Sequence, residues 1–464
     1  MARRLLVVGG DAGGMGAAAQ ARRRDPRLEI VALERGNWTS YSACGIPYLV
    51  SGEVAELEDL VVRTPQQFRD TLRIDVRMRH EAMAIDLDAG RVEVRDHGHG
   101  RTIRLPFDEL HLATGARPRR PDLPGIDEPF VHGVQTLDDA AHLLAHAEAS
   151  ACRDIVVVGG GYIGLEMAEA FAVRGAKVTV VEGGPQVLGT LDRDMAEPVV
   201  HAMRRAGIEV LLETEVVAFS GARPGREAGG GGRTSGGTVE MAATALRADL
   251  VLLGLGVVPN AELAGDAGIE LGPKGAIAVD PRQHTSAGGV WSAGDCCASY
   301  HLVSRRPVHV ALGTVANRQA RVAGINIGGG YATFPGVLGT AVTKVCSTEV
   351  ARTGLTEIEA DRAGLGYVCA TIESTTAAGY LREASPITVK VLAERGTGRL
   401  LGGQIVGGRG AAKRIDVLAT ALTATMTVHQ LVDLDLSYAP PVSPLWDPVV
   451  IAARRAATEV DRAC

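Results

Sequence analysis

The chain has 464 residues, of which 46% are hydrophobic and 22% charged, and its net charge is −6. That balance excludes intrinsic disorder, which needs low apolar content and high net charge, and it offers no basic stripe for nucleic acid or an anionic membrane. Glycine is in excess at 58 residues, but without a Gly-X-Y period, so collagen is excluded and tight strand-to-helix turns are expected instead.

From the N-terminus, Leu5–Val8 reads as a strand, Gly9 to Gly14 as a turn, the Ala-rich stretch after it as a helix, and Glu29–Glu34 as a second strand. The opening apolar run is too short for a signal peptide. Glu109–Gly115 reads as a strand ending in an Ala-Thr-Gly turn, and the Pro- and Arg-rich Ala116–Gly125 as a linker. The first pattern then repeats. Ile155–Val158 is a strand, Gly159 to Gly164 a turn, and a helix runs through Arg174 to a strand at Lys177–Glu182. Ser220–Gly237, rich in Gly and Arg, is expected to form a mobile hairpin tip. Asp249–Pro259 reads as one buried strand and Gly289–Asp295 as a strand ending in Gly-Asp. Beyond about Gly328, Thr- and Val-rich strands and helices near 411–425 and 428–434 predict a separate α+β domain. No stretch reaches the roughly 18 apolar residues of a membrane span.

The repeated unit has a specific physics. Its glycines let the backbone turn sharply and approach a pyrophosphate, and the helix N-terminus offers unpaired N–H groups to the anion. The acidic residue about 20 positions on, Glu34 or Glu182, accepts hydrogen bonds from a ribose diol. Gly159, Gly161 and Gly164 fit this fingerprint fully. In the first copy Gly9 and Gly14 are in place, but Asp11 stands at the middle position. A carboxylate there repels a pyrophosphate, so Asp11 is expected to turn away or to be neutralised. Two such units make an α/β protein that binds two dinucleotides.

Seven cysteines (Cys44, Cys152, Cys296, Cys297, Cys346, Cys369 and Cys464) form no CxxC pair, which fits a reducing cytoplasm. The histidines form no HxxxH or HExxH set, so no metal site is expected. Cys44 opens the run Gly45–Val50, read as the start of a helix, whose N-terminus would lower the thiol pKa. A lone cysteine cannot close an internal disulfide. It can form a mixed disulfide with a small thiol and be released by two electrons. A buried packing role for Cys44 is the alternative, and packing is also the reading for Cys296 and Cys297. Glu166 is read either as a contact to a nicotinamide or as a favourable charge at a helix N-terminus, and Tyr162 either as a cover for the nicotinamide pocket or as packing.

These motifs together resemble the pyridine nucleotide–disulfide oxidoreductases over essentially the whole chain. Glutathione reductase-like members carry a second cysteine where this chain has Leu49, and a C-terminal His absent from Leu436–Ser443. An internal dithiol is therefore excluded. Peroxidases and oxidases of the family place a His where this chain has Ala12. The pattern Cys44-Gly-Ile-Pro-Tyr48 with Ala12, Lys413-Arg-Ile-Asp and Tyr438-Ala-Pro-Pro441 is similar to the single-cysteine, coenzyme A-disulfide reductase-like group.

The resemblance implies two Rossmann-like domains, the second inserted in the first, plus a C-terminal α+β dimerisation domain. The implied limits are 1–118 and 272–328 for FAD, 119–271 for NAD(P)H, and 329–464 for dimerisation. FAD would lie on Gly9, Gly10, Ala12, Gly13, Gly14, Glu34, Arg35, Ala82, Thr114, Gly115 and Asp295. NADH would lie on Gly159, Gly161, Tyr162, Ile163, Gly164, Glu166, Glu182 and Gly256. Gln20, Arg23 and Ser40 resemble positions that hold coenzyme A, whereas Ala43 and Trp446 depart from relatives there. Cys44 would be the redox thiol, with Tyr438 and Tyr380 reaching across a homodimer to assist proton transfer.

Glu182 favours a free 2′-hydroxyl, and no Lys or Arg follows it before Arg193, so NADH is expected over NADPH. The expected enzyme is a cytoplasmic homodimer that reduces a small-molecule disulfide, coenzyme A disulfide or a related persulfide or polysulfide. The runner-up is an NADH oxidase or peroxidase that cycles Cys44 through sulfenic acid.

Overall fold

The computed structural model describes residues 3–149, 152–221 and 236–463. Two five-stranded parallel sheets and one five-stranded antiparallel sheet organise it. The first sheet runs Val290–Ser292, Glu109–Leu112, Arg4–Val8, Glu29–Glu34, Ile74–Met78. Its outermost strand comes from a segment almost 180 residues beyond its neighbour, so the chain leaves this domain and returns to complete it. The strands are near-continuous apolar runs because both faces are covered. Leu5, Val7, Ile30 and Ala32 pack under the helix Ala12–Arg24, and Leu6, Val31, Leu33 and Leu110 face the other side.

The inserted domain repeats the design. Its sheet runs Glu209–Leu211, Lys177–Val181, Asp154–Val158, Leu250–Leu253, Val131–Gly133. Asp249–Pro259, expected as one strand, is two: Leu250–Leu253 stays in the sheet, the backbone turns at Gly256 (φ +83°), and Val257–Pro259 leaves. That second piece pairs antiparallel with Ala116–Pro118, so the expected linker is one half of a two-stranded connection between the domains. The strands Val216–Gly221 and Gly237–Met241 pair as a hairpin; most of the tip expected between them, 222–235, lies outside the described residues.

The third sheet runs Ala341–Val345, Thr348–Gly354, Leu400–Gly407, Pro386–Glu394, Tyr367–Thr375, all antiparallel. The helices Ile415–Thr423 and Pro448–Ala463 cover it through Leu418, Leu422, Val449 and Ala456. No helix among the described residues is long and apolar enough to cross a membrane.

One short helix, Ile46–Ser51, ties the domains together. Ile46, Leu49 and Val50 are buried in the core of the inserted domain, beside Leu165, Phe171 and Leu143, and Arg174 Nη1 donates to the Val50 carbonyl at 3.0 Å. Val345, Val350 and Val406 of the third sheet join the same cluster. Cys44 is thereby held where the three domains meet.

Candidate active site

Both glycine turns are built alike. Gly9 has φ +114°, and a Cβ there would stand 2.0 Å from the Ala113 carbonyl oxygen. Gly159 has φ +103°, with Gly254 O 2.5 Å from the corresponding point. Only glycine fits either position. Each turn is then gripped by its acid. Glu34 accepts from the backbone N–H of Gly10 (2.9 Å) and Gly36 (2.7 Å), and Glu182 from those of Gly160 (2.6 Å) and Gly184 (2.7 Å). The two carboxylates are thus fixed beside their turns.

Asp11, expected to turn away or to be neutralised, is tied to backbone. Its Oδ1 accepts from Tyr41 N at 3.2 Å, and burial, followed by the charges of Glu34 and Asp295, pushes its carboxyl up to about 6 despite that bond. Ser40, one of the expected substrate positions, adopts φ +49°, a left-handed conformation uncommon for serine. It is held there by Ser40 N donating to Gly10 O at 3.0 Å and Val62 N donating to Ser40 O at 2.8 Å. Gln20 and Arg23 lie on one face of the first helix, where Arg23 Nη1 reaches Gln20 Oε1 at 3.4 Å.

Opposite the first turn stands Gly294-Asp295. A Cβ on Gly13 would come within 2.9 Å of Ala293 O, so the helix N-terminus and the Gly-Asp turn approach as closely as backbone allows. Burial raises the Asp295 carboxyl. Thr114 Oγ1 donates to Asn260 O at 2.5 Å, and Asn260 returns a bond to Thr114 O at 3.0 Å, fastening the Ala-Thr-Gly turn to the inter-domain connection. The donor set fits FAD: a glycine cradle at a helix N-terminus, an acid for the ribose in Glu34, and an acid at the far side of the cradle in Asp295. Arg35 is exposed just past the end of the Glu29–Glu34 strand, and Ala82 is half-buried in the strand His80–Asp86, opposite Val94.

In the second turn, Gly161 caps the helix Tyr162–Val173. Tyr162 is half-buried and its hydroxyl accepts from Thr190 Oγ1 at 3.2 Å, while Ile163 is exposed. Glu166 is gripped from another domain: Thr343 Oγ1 donates to its Oε1 at 2.5 Å, and burial raises its carboxyl.

Cys44 is an exposed free thiol in the single 3₁₀ turn Ala43–Gly45, just ahead of the helix Ile46–Ser51. Its expected lowered pKa is overturned. Protein packed around the open sulfur, then the charges of Glu166, Asp295 and Asp11, push the thiol up, and the helix that follows is only six residues long. Cys44, Glu166, Asp295 and Asp11 therefore form one group of raised pKa values at the junction of both dinucleotide turns, a pattern typical of active sites.

Tyr380 and Tyr438 lie elsewhere. They sit on the neighbouring loops 376–385 and 433–447 of the third domain, exposed by 77% and 47%, and no hydrogen bond among the described residues joins either to Cys44 of the same chain. Cys296 and Cys297 are fully buried thiols, and burial raises both.

Sequence reasoning missed several positioning residues. Gln319, fully buried, accepts from Gly294 N at 2.9 Å and donates to Ser299 Oγ at 3.0 Å, and His309 Nε2 bonds Asp295 O at 2.7 Å. His111, buried and held near 4, bonds Gly13 O through Nε2 at 3.1 Å. Each is a single polar residue from outside the turn it supports, 25, 14 and 98 residues away in the chain, and none carries a local motif. Asp192, Asp194 and Glu357 cluster closely enough to suggest a metal, but Lys390 Nζ occupies the middle of the cluster.

Comparison with known proteins places this geometry. Residues 3–320 match the family model described as pyridine nucleotide-disulphide oxidoreductase, and residues 340–448 match its dimerisation domain. The chain is 35% identical to the NAD(P)H sulfur oxidoreductase (CoA-dependent) of Pyrococcus furiosus, over 97% of this chain and 98% of that one. It is 33% identical to an NADH oxidase of Methanocaldococcus jannaschii, over 98% of each. The solved NAD-dependent persulfide reductase from A. fulgidus superposes with a TM-score of 0.94 at 37% identity, covering 99% of this chain and 84% of that one.

Proposed function

The chain belongs to the pyridine nucleotide–disulphide oxidoreductase family, and we propose that it uses NADH and the single thiol of Cys44 to reduce a disulfide or persulfide of coenzyme A. It is an NAD(P)H-dependent flavoprotein that reduces low-molecular-weight sulfur compounds; the finer claims concern the nucleotide, the carrier thiol and the subunit arrangement. The observation that carries them is the position of Cys44, open to solvent, between two acid-gripped glycine turns.

FAD, when bound, supplies a two-electron relay between the nicotinamide and the thiol centre. The chain's residues do the rest. Gly10, Gly13 and Glu34 hold the first dinucleotide, and Asp295 holds its far end. Gly159, Gly161, Glu182 and Glu166 hold and orient the second. The Cys44 thiolate attacks one sulfur of the acceptor, the S–S bond breaks, and the departing thiolate takes a proton. Two electrons then cleave the mixed disulfide, releasing the second thiol and restoring Cys44. NADH, one proton and one disulfide thus give NAD⁺ and two thiols.

Tyr438 of the partner subunit, with Tyr380 beside it, supplies the proton in this reading. Support comes from their exposure on a domain whose family model is a dimerisation domain, which also favours a homodimer. Glu182 favours NADH. A cytoplasmic setting, where thiols stay reduced, suits the six free cysteines described. The sulfenic-acid alternative is not favoured, because Ala12 offers no base at the head of the first helix.

The test is anaerobic NADH consumption with coenzyme A disulfide or polysulfide as acceptor. Cys44→Ser should lose activity by about a hundredfold or more while NADH still bleaches the flavin. Undiminished turnover in Cys44→Ser would refute the single-thiol route.

A further inference from the structure

Arg414 lies in the Lys413-Arg-Ile-Asp segment, outside every cofactor contact described above, yet its side chain is 11% exposed and makes four hydrogen bonds. Nε donates to Asp447 Oδ2 at 3.0 Å. Nη2 donates to two carbonyls, Thr376 O at 2.8 Å and Val442 O at 2.7 Å, and Nη1 to Gly410 O at 2.5 Å. Thr376 begins the loop that carries Tyr380, and Val442 and Asp447 belong to the loop that carries Tyr438. The loops also meet directly through backbone, where Ala378 N donates to Pro440 O at 2.9 Å. Asp447 is itself fixed by Ser443 Oγ at 3.3 Å and Val449 N at 2.9 Å. One planar guanidinium therefore bridges two loops whose large apolar side chains, Tyr380, Tyr438, Val442, Leu445 and Trp446, are all exposed, with only the small Ala377 and Ala378 of the first loop buried.

We propose that Arg414 is a positioning residue for the tyrosine pair, fixing the tilt at which Tyr438 and Tyr380 are presented to the acceptor site of the other subunit. This rests on the tyrosine role given under Proposed function. Lysine cannot replace it fully, because a single ammonium cannot span a carboxylate and three carbonyls from one fork.

The two half-reactions separate the possibilities in the full-length FAD-loaded enzyme. Flavin bleaching by NADH is followed first, then reoxidation by coenzyme A disulfide and by polysulfide. Arg414→Met should slow reoxidation by about tenfold and leave bleaching within about twofold, and Arg414→Lys should recover part of the loss. Added to Tyr438→Phe, Arg414→Met should cost little more, because both act on one group. Equal losses in both half-reactions, or a full multiplicative loss in the double variant, would overturn the proposal. If Arg414→Met does not fold, Arg414→Lys and Asp447→Asn carry the same comparison. If Tyr438→Phe reoxidises at the full rate, or neither acceptor reoxidises the enzyme, the functional reading fails by that result alone, and the role of Arg414 falls with it.

Discussion

Thr343 Oγ1 donates to Glu166 Oε1 at 2.5 Å, so the third domain's sheet orients a carboxylate just past the first turn of the helix behind the second glycine turn, too far in to be the charge at the helix N-terminus that the sequence also allowed. The bond holds down a carboxyl that burial raises. Thr343→Val should therefore raise it further and slow flavin reduction by NADH by about five- to tenfold, the worth of roughly one ordinary hydrogen bond. Thr343→Ser should keep most of the rate. Stopped-flow bleaching checks both, and an unchanged Thr343→Val would mean that Glu166 does not guide the nicotinamide.

The same carboxylate acts on Cys44. Glu166 is the charge that raises the thiol most, after burial. A raised thiol pKa means less thiolate at neutral pH, so removing the charge must increase the thiolate fraction. Iodoacetamide should label Cys44 faster in Glu166→Gln than in the unmodified apoprotein at pH 7.5, with the whole pH profile moved to lower pH. A profile moved upward would contradict the assignment.

Asp11 couples the first glycine turn to pH. Its carboxyl, pushed up to about 6 by burial, belongs to the glycine turn expected to carry a pyrophosphate. An anion bound beside it raises it further, so binding takes up a proton and FAD affinity should fall as pH rises above about 6. Asp11→Asn keeps the acceptor for Tyr41 N and should abolish this slope, binding FAD more tightly at pH 8. Titration of the apoprotein with FAD at pH 5.5 and 8 measures it.

Lys390 is 3% exposed and pairs with Asp192 (3.2 Å), Asp194 (2.8 Å) and Glu357. These acids belong to the inserted domain and to the helix Glu357–Ala363 of the third domain. Lys390→Met should destabilise the protein by about 3–5 kcal/mol, because it leaves three carboxylates facing one another without a cation. Chemical denaturation checks this, and a loss under about 1 kcal/mol would show that the cluster relaxes into water.

Glu182 should set nucleotide choice. Glu182→Ala should raise KM for NADH and shrink its advantage over NADPH by about tenfold, because the ribose contact and the repulsion of a 2′-phosphate go together. Steady-state kinetics with both nucleotides decides it.

The two glycine turns and their acids were legible because they depend on local backbone geometry. Gly9 and Gly159 need positive φ whatever surrounds them, and Glu34 and Glu182 follow at fixed spacing. Cys44 was legible as the reactive thiol by its pattern, but its pKa was read in the wrong direction. The helix after it is local, whereas Glu166 and Asp295 arrive from more than a hundred residues away. Thr343 was invisible for the same reason, 177 residues from Glu166, whereas Gln319 and His309 lie only 25 and 14 residues from the Gly-Asp turn they hold and carry no motif of their own. Ala116–Pro118 read as linker because its strand partner, Val257–Pro259, is far along the chain.

The central claim is that Cys44 carries the acceptor's thiol covalently. The most direct measurement mixes the purified enzyme with coenzyme A disulfide in the absence of NADH and weighs the Cys44 peptide by mass spectrometry. The account predicts one coenzyme A joined to Cys44 by a disulfide and released by one equivalent of NADH. An unmodified Cys44, or one carrying only an added oxygen, would contradict it.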